Sequence, residues 1–181
     1  MFLLVAGVVL WIVAHLFRRV APNFRASLGW VGRAIVGVAV VISIAMMTIG
    51  YSSAENTVFW GRSPALVGIN NLLVLLAFYL MSVALVRSAL AGKMRHLVFT
   101  AVKTWAIAHL LVNGDVASFV LFGGLFAWAL ISVILINRTA KPEKPVVQFS
   151  WLKEIAAILL AVVSFGAVAW LHLQMGYPVF G

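Results

Sequence analysis

Four histidines, His15, His96, His109 and His172, are the residues of this chain most able to do chemistry, because each lies within or at the edge of an apolar run. A polar ring in such a place is costly without a partner, so each is a candidate ligand. The plain alternative is a hydrogen bond between helices, which needs no cofactor. Four imidazoles on three apolar runs favour ligation. Neutral imidazole binds haem iron or zinc. Haem suits an apolar setting better, since it is a large apolar disc whose two propionates want basic partners at a membrane surface. The chain has no Cys, which excludes disulfides, iron–sulfur clusters and thiolate catalysis. Lys103 is the other ion inside an apolar run, almost under His96 at seven positions on. Its candidate partners are Asp115, a haem propionate or another anion. Trp105, His109 and Asn113 share one helical face. Asn70 and Asn71 point toward the same end and read best as helix-pairing groups. There is no phosphate-binding Gly-rich loop, no His-Glu-x-x-His and no credible carboxylate pair, which argues against hydrolases and nucleotide enzymes.

The elements that must position these residues are membrane helices. Of 181 residues, 65% are hydrophobic and 9% charged, too few polar side chains to cover a soluble domain. Apolar runs occupy Phe2 to Phe17, Ile35 to Tyr51, Leu66 to Val86, Val98 to Val112, Val116 to Ile136 and Ile155 to Met175. A span needs about 20 residues, with about 17 tolerated. The fourth run is the short one and reads as a span from about Met94 to Asn113 or as a reentrant helix. No basic residue precedes the first run, while Arg18 and Arg19 follow it, so it reads as a retained helix rather than a signal peptide. The expected fold is an all-α membrane protein, one domain over residues 1–181, with a bundle of about six transmembrane helices and the lipid bilayer as its main partner. Other membrane proteins are open as partners.

The net charge of +9 would suggest nucleic acid in a soluble protein. Here the bases sit in alternate loops, so no nucleic-acid partner is expected. Arg18, Arg19, Arg25 and Arg33 follow the first run; Arg87, Lys93 and Arg95 follow the third; Arg138, Lys141, Lys144 and Lys153, with Glu143 and Glu154, follow the fifth. The other loops hold only Arg62, Glu55 and Asp115. The positive-inside rule then puts the basic loops in the cytoplasm and both termini outside. By depth the histidines form two pairs. His15 and His96 lie near the cytoplasmic surface, with Arg18, Arg19 and Arg95 beside them. His109 and His172 lie toward the outer side, where Arg62 is the one base available.

The segments Arg95-His96, Lys103-Thr104-Trp105-Ala106-Ile107-Ala108-His109-Leu110-Leu111, Asn113-Gly114-Asp115 and Leu121-Phe122-Gly123 resemble the core of the NnrU family, small membrane proteins associated with denitrification. His15-Leu16-Phe17-Arg18, Ala21-Pro22 and Arg25 extend the resemblance to the start, and Trp170-Leu171-His172 to the end. The family commonly has Pro after the His of Arg-His-Pro; Leu97 stands there in this chain. The family is similar to the plastid 15-cis-zeta-carotene isomerases, membrane proteins with haem b. The resemblance implies haem b held by histidines, with His15 and His96 as the iron ligands that match best by position. His109, His172, Arg18, Arg95 and Lys103 complete the candidate site. It further implies a bacterial inner-membrane protein that supports production or function of nitrite and nitric oxide reductases. The rival classes are a haem-dependent cis–trans isomerase of a carotenoid-like polyene, a cofactor-free assembly or regulatory factor, and a small transporter motivated by Lys103 and the paired Asn.

The charge pattern makes a prediction that reporter fusions can check. Reporters at residues 90 and 143 face the cytoplasm, and those at 57 and 181 face outward. A periplasmic signal at 90 would discard the six-span topology.

Overall fold

The computed structural model describes residues 1–55, 57–139 and 146–180. Lys141, Glu143 and Lys144, counted above with the third basic loop, lie outside the described residues, as do positions 143 and 181. Helix α1 spans Phe2–Val20 and is followed by the short α2, Pro22–Ser27. The break between them falls at Ala21 (φ −129°, ψ 61°), because a residue before proline is disfavoured in the helical region. Gly29 then takes φ +54°, a left-handed value that favours glycine, and opens α3, Gly29–Ser52. This helix starts six positions before the apolar run at Ile35, so Arg33 is a helical residue and not a loop residue.

Helix α4, Pro64–Val86, begins with Pro64 in its first turn and Ser63 as its cap, whose hydroxyl oxygen accepts from Leu66 N at 3.3 Å. It ends on Arg87 in the left-handed conformation. A 3₁₀ turn at Ala89–Gly92 leads to α5, Leu97–Val112. Helix α6 covers Val116–Thr139 and contains a π turn at Phe119–Gly123. Helix α7 covers Trp151–Gln174. Among the described residues, five helices are long and apolar enough to cross a membrane: α1, α3, α4, α6 and α7. The sixth, α5, has 16 residues, about 24 Å at 1.5 Å per residue. The bundle of about six helices is therefore observed, with α5 shorter than the stretch from Met94 to Asn113. Leu97 occupies its first helical position.

The helices pack as a curved row in the order α3, α1, α6, α5, α4, α7. The apolar core has two halves. Leu4, Val8, Met47, Ala117 and Leu125 join α1, α3 and α6, while Leu80, Val83, Leu97, Ala101 and Ala157 join α4, α5 and α7. Large apolar side chains such as Ile35, Val38 and Val41 on α3, and Ile158, Val162 and Val163 on α7, remain exposed, as a lipid-facing surface requires. At one end, β1 (Val58–Trp60) pairs antiparallel with β2 (Gly114–Asp115). Trp60 covers Gly114 so closely that a Cβ there would enter its ring, and its indole N–H donates to Leu110 O at 3.2 Å. The α3–α4 connection is thereby fixed to the end of α5. At the other end, Glu154 of α7 accepts from Ala89 N at 2.6 Å and ties α7 to the α4–α5 connection.

The tightest helix pair is α1 with α3, and glycine permits it. A Cβ on Gly7 would stand 2.9 Å from Met47 N, and one on Gly50 would stand 2.7 Å from Leu4 Cα. Such close backbone approach is how membrane helices gain contact where lipid competes equally for apolar surface. Gly37, on the same helix as Gly50, has open space around it. Gly50→Leu is therefore expected to lower stability by about 1–3 kcal/mol, the range for overpacking, and Gly37→Leu to change little. Thermal midpoints of the two variants in one detergent check this; equal midpoints would remove the close-contact account.

Candidate functional site

His109 sits in the last turn of α5. Its Nδ1 lies 2.9 Å from Trp105 O, four residues back. A carbonyl only accepts, so Nδ1 carries the proton and Nε2 keeps its lone pair. His172 on α7 repeats the arrangement, with Nδ1 2.8 Å from Val168 O. Both rings line one cavity of about 580 Å³, bounded by α3, α4, α5, α6 and α7, with α1 behind. Phe122 stacks on His109, with centroids 4.6 Å apart and planes at 30°, and Trp105 meets Phe122 edge-on at 5.1 Å. The π turn of α6 carries Phe122, in keeping with the frequent placement of π turns at functional sites.

The mouth of this cavity is polar. Arg62, Asn70, Asn71 and Asn113 all border it. In the amide orientation that satisfies both of its atoms, Asn70 donates to Ala108 O at 2.9 Å and so links α4 to α5, as a helix-pairing group should. Asn71 donates to Val179 O at 3.1 Å, which lays the segment after α7 across the end of α4. Gly176 makes that turn possible with φ +82°, and Tyr177 N donates back to His172 O at 2.9 Å. Tyr177, Pro178 and Val179 thus form one wall.

Asp115 belongs to a separate local network. Its Oδ1 accepts from Ser118 N at 2.9 Å, capping α6, and its Oδ2 accepts the Ser118 hydroxyl at 2.7 Å. Ser118 Oγ is then left to accept from the Tyr51 hydroxyl at 2.8 Å. The expected pairing of Lys103 with Asp115 is not found. Lys103 is half-buried, off the cavity wall, and among the described residues it has no ion pair.

His15 and His96 stand in different surroundings. His15 Nδ1 bonds Trp11 O at 2.9 Å, and the ring packs on Trp11 at 4.0 Å and Trp128 at 4.8 Å. Trp128 continues to Phe99 at 5.7 Å, and Phe99 to His96 at 6.4 Å. The two imidazoles are thus joined through a row of aromatic side chains. The indole nitrogens of Trp11 and Trp128 are buried with no acceptor. His96 Nε2 donates to Asn137 Oδ1 at 3.0 Å, joining α5 to α6. Arg95 is exposed, and Arg18 borders a second concavity. Sequence reasoning missed Phe122 and the wall from Tyr177 to Val179, while Arg62, the one base it placed on the His109–His172 side, does border their cavity. The Gly123-Gly124 step was a faint pointer to an irregular turn; the wall had no signal.

Among the described residues, no three His, Asp or Glu converge into a metal cage. Two imidazoles with free Nε2 atoms offer two nitrogen ligands, which suits a haem iron better than the closed four-ligand set of structural zinc. The cavity volume lies within the usual 300–1,000 Å³ range of ligand sites, its lining is largely apolar, and Arg62 stands where a carboxylate could meet it. These residues fit a haem.

Comparison with known proteins adds one finding. A family model described as NnrU protein matches residues 3–179. No curated protein and no solved structure matches the chain. With nearly its whole length covered, this integral membrane protein belongs to the NnrU family.

Proposed function

We propose that the protein holds haem b in the cavity between α3 and α7, where His109 and His172 would ligate its iron. The observation that carries this reading is the pair of imidazoles on one apolar cavity, each with Nδ1 tied to its own helix and Nε2 free. The pair His15 and His96, favoured by sequence position, ranks second because Trp128 and Phe99 fill the path between them. Arg62 would meet a propionate through a charge-assisted contact. Phe122 would hold the His109 ring in plane, and Asn71 with the wall after α7 would limit water. Bound haem supplies one-electron and ligand-exchange chemistry at iron.

The role we infer follows the family: an inner-membrane protein with basic loops in the cytoplasm and both termini periplasmic, supporting the nitrite and nitric oxide reductases of denitrification. A cofactor-free factor, with histidines serving only to join helices, is the chief alternative. It fits His96, which bonds another helix, and fits the other three poorly, since each bonds its own. The cis–trans isomerase reading uses the same haem and differs by conversion of a 15-cis polyene.

Absorbance of protein purified after haem-replete expression tests the site. We expect a Soret band in the wild type and a loss of haem of at least about tenfold in His109→Ala and His172→Ala, as removal of a ligand should exceed the effect of removing a group that only orients one. His15→Ala and His96→Ala should keep most of it. The reverse pattern would move the haem to the aromatic row. No Soret band in the wild type would leave the cofactor-free reading.

A further inference from the structure

Three arginines at the basic end converge from three elements. Arg18 lies in the last turn of α1, Arg25 in α2 and Arg33 in the first turns of α3. Together with Pro22 and Ala26 they line a concavity of about 320 Å³. The chain has no Asp or Glu before Glu55, and among the described residues none of the three has a carboxylate partner. Charge that only fixes topology needs to be in the right loop and nothing more. This cluster is built more closely than that.

Arg25 Nη1 donates to Gly29 O at 3.3 Å, a carbonyl presented by the left-handed turn at Gly29. The guanidinium then lies over Gly32, where a Cβ would stand 2.8 Å from Nη1. Gly32 is buried while its helical neighbours Val31 and Arg33 are exposed. The glycine is a seat for the guanidinium. Around the concavity, Val20, Phe24 and Trp30 are 72%, 61% and 71% exposed, the apolar and Trp-bearing fringe of a membrane interface. A phosphate at this level would be met by three guanidiniums, with acyl chains against the exposed sides of α1 and α3.

We propose that Arg18, Arg25 and Arg33 form a binding site for the phosphate group of an anionic phospholipid. Basic pockets at this depth suit such headgroups, and each arginine near the surface is worth about 1 kcal/mol, or roughly fivefold in affinity. The haem plays no part in this site.

The full-length protein, delipidated in a neutral detergent, is titrated with phosphatidylglycerol, phosphatidylcholine or inorganic phosphate and followed by native mass spectrometry. Phosphatidylglycerol should bind in preference to phosphatidylcholine. Its affinity should fall roughly fivefold in Arg25→Gln and in Arg33→Gln, fall also in Gly32→Ala, and stay unchanged in Lys153→Gln. Arg33 is exposed, so its variant keeps the test valid if Gly32→Ala fails to fold. Equal affinity for the two lipids, or unchanged affinity in the Arg18/Arg25/Arg33→Gln triple variant, would overturn the site. Inorganic phosphate displacing phosphatidylglycerol at equal concentration would overturn the lipid as its ligand.

Discussion

In hydrocarbon there is no water to accept a stray proton or donate to a stray carbonyl, and each unmet polar group costs several kcal/mol. With two-thirds of its residues apolar, this chain has few side chains that can help, so most of its polar groups are matched locally, the buried indole nitrogens of Trp11 and Trp128 and the Ser88 hydroxyl excepted. Ser118 spends both of its hydrogen-bonding roles on Asp115 and Tyr51 at the start of α6. Asn113 folds back on His109 O at 3.0 Å, closing the frayed end of α5. Asn71 takes the carbonyl of Val179, which has no helix to serve it. The same demand selects the tautomers of His109 and His172, because each ring satisfies a carbonyl of its own helix with Nδ1.

The cavity follows from how the row of helices bends. The glycine contacts of α1 with α3 draw that pair together, and Ala157 with Leu97 and Ala101 does the same for α4, α5 and α7. Between these two halves stands α6, whose Gly124 meets Val8 and whose π turn swings Phe122 onto His109. The two core halves close on themselves and leave a space between them, with imidazoles from α5 and α7 on its wall. The β1–β2 pairing pins the rim.

Much of this was legible in the residues. Run lengths and basic loops gave the helices, and rise per residue put His109 and His172 at one depth. The helix ends were less legible because helical backbone continues past the uninterrupted apolar stretch: Gly29 to Arg33 is helix although two glycines and an arginine break its apolar run. Two features of the site are hidden from the sequence for one reason. Sequence position cannot tell that Trp128 and Phe99 fill the space between His15 and His96, since α6 enters from elsewhere in the row. Nor can it tell that Arg62, a lone base in a short loop, is held over the cavity by strand pairing with Gly114 and Asp115. Lys103 looked partnered because an unpaired ammonium is costly; the acid nearest in sequence beyond α5 was already occupied in capping α6.

Three imidazoles, those of His15, His109 and His172, are aimed by the carbonyl four residues back, and this has a genetic consequence. An orienting Asp or Glu is a second locus that must be kept in step with the ligand, and in lipid it would bring a charge. A main-chain carbonyl is supplied by every residue type, so substitutions at Trp11, Trp105 or Val168 that keep the helix would leave the ring's aim intact. The histidine alone then carries the information. Such an orientation can drift through many neighbouring sequences without being lost, and it can arise in one step wherever a helical residue facing a cavity mutates to His.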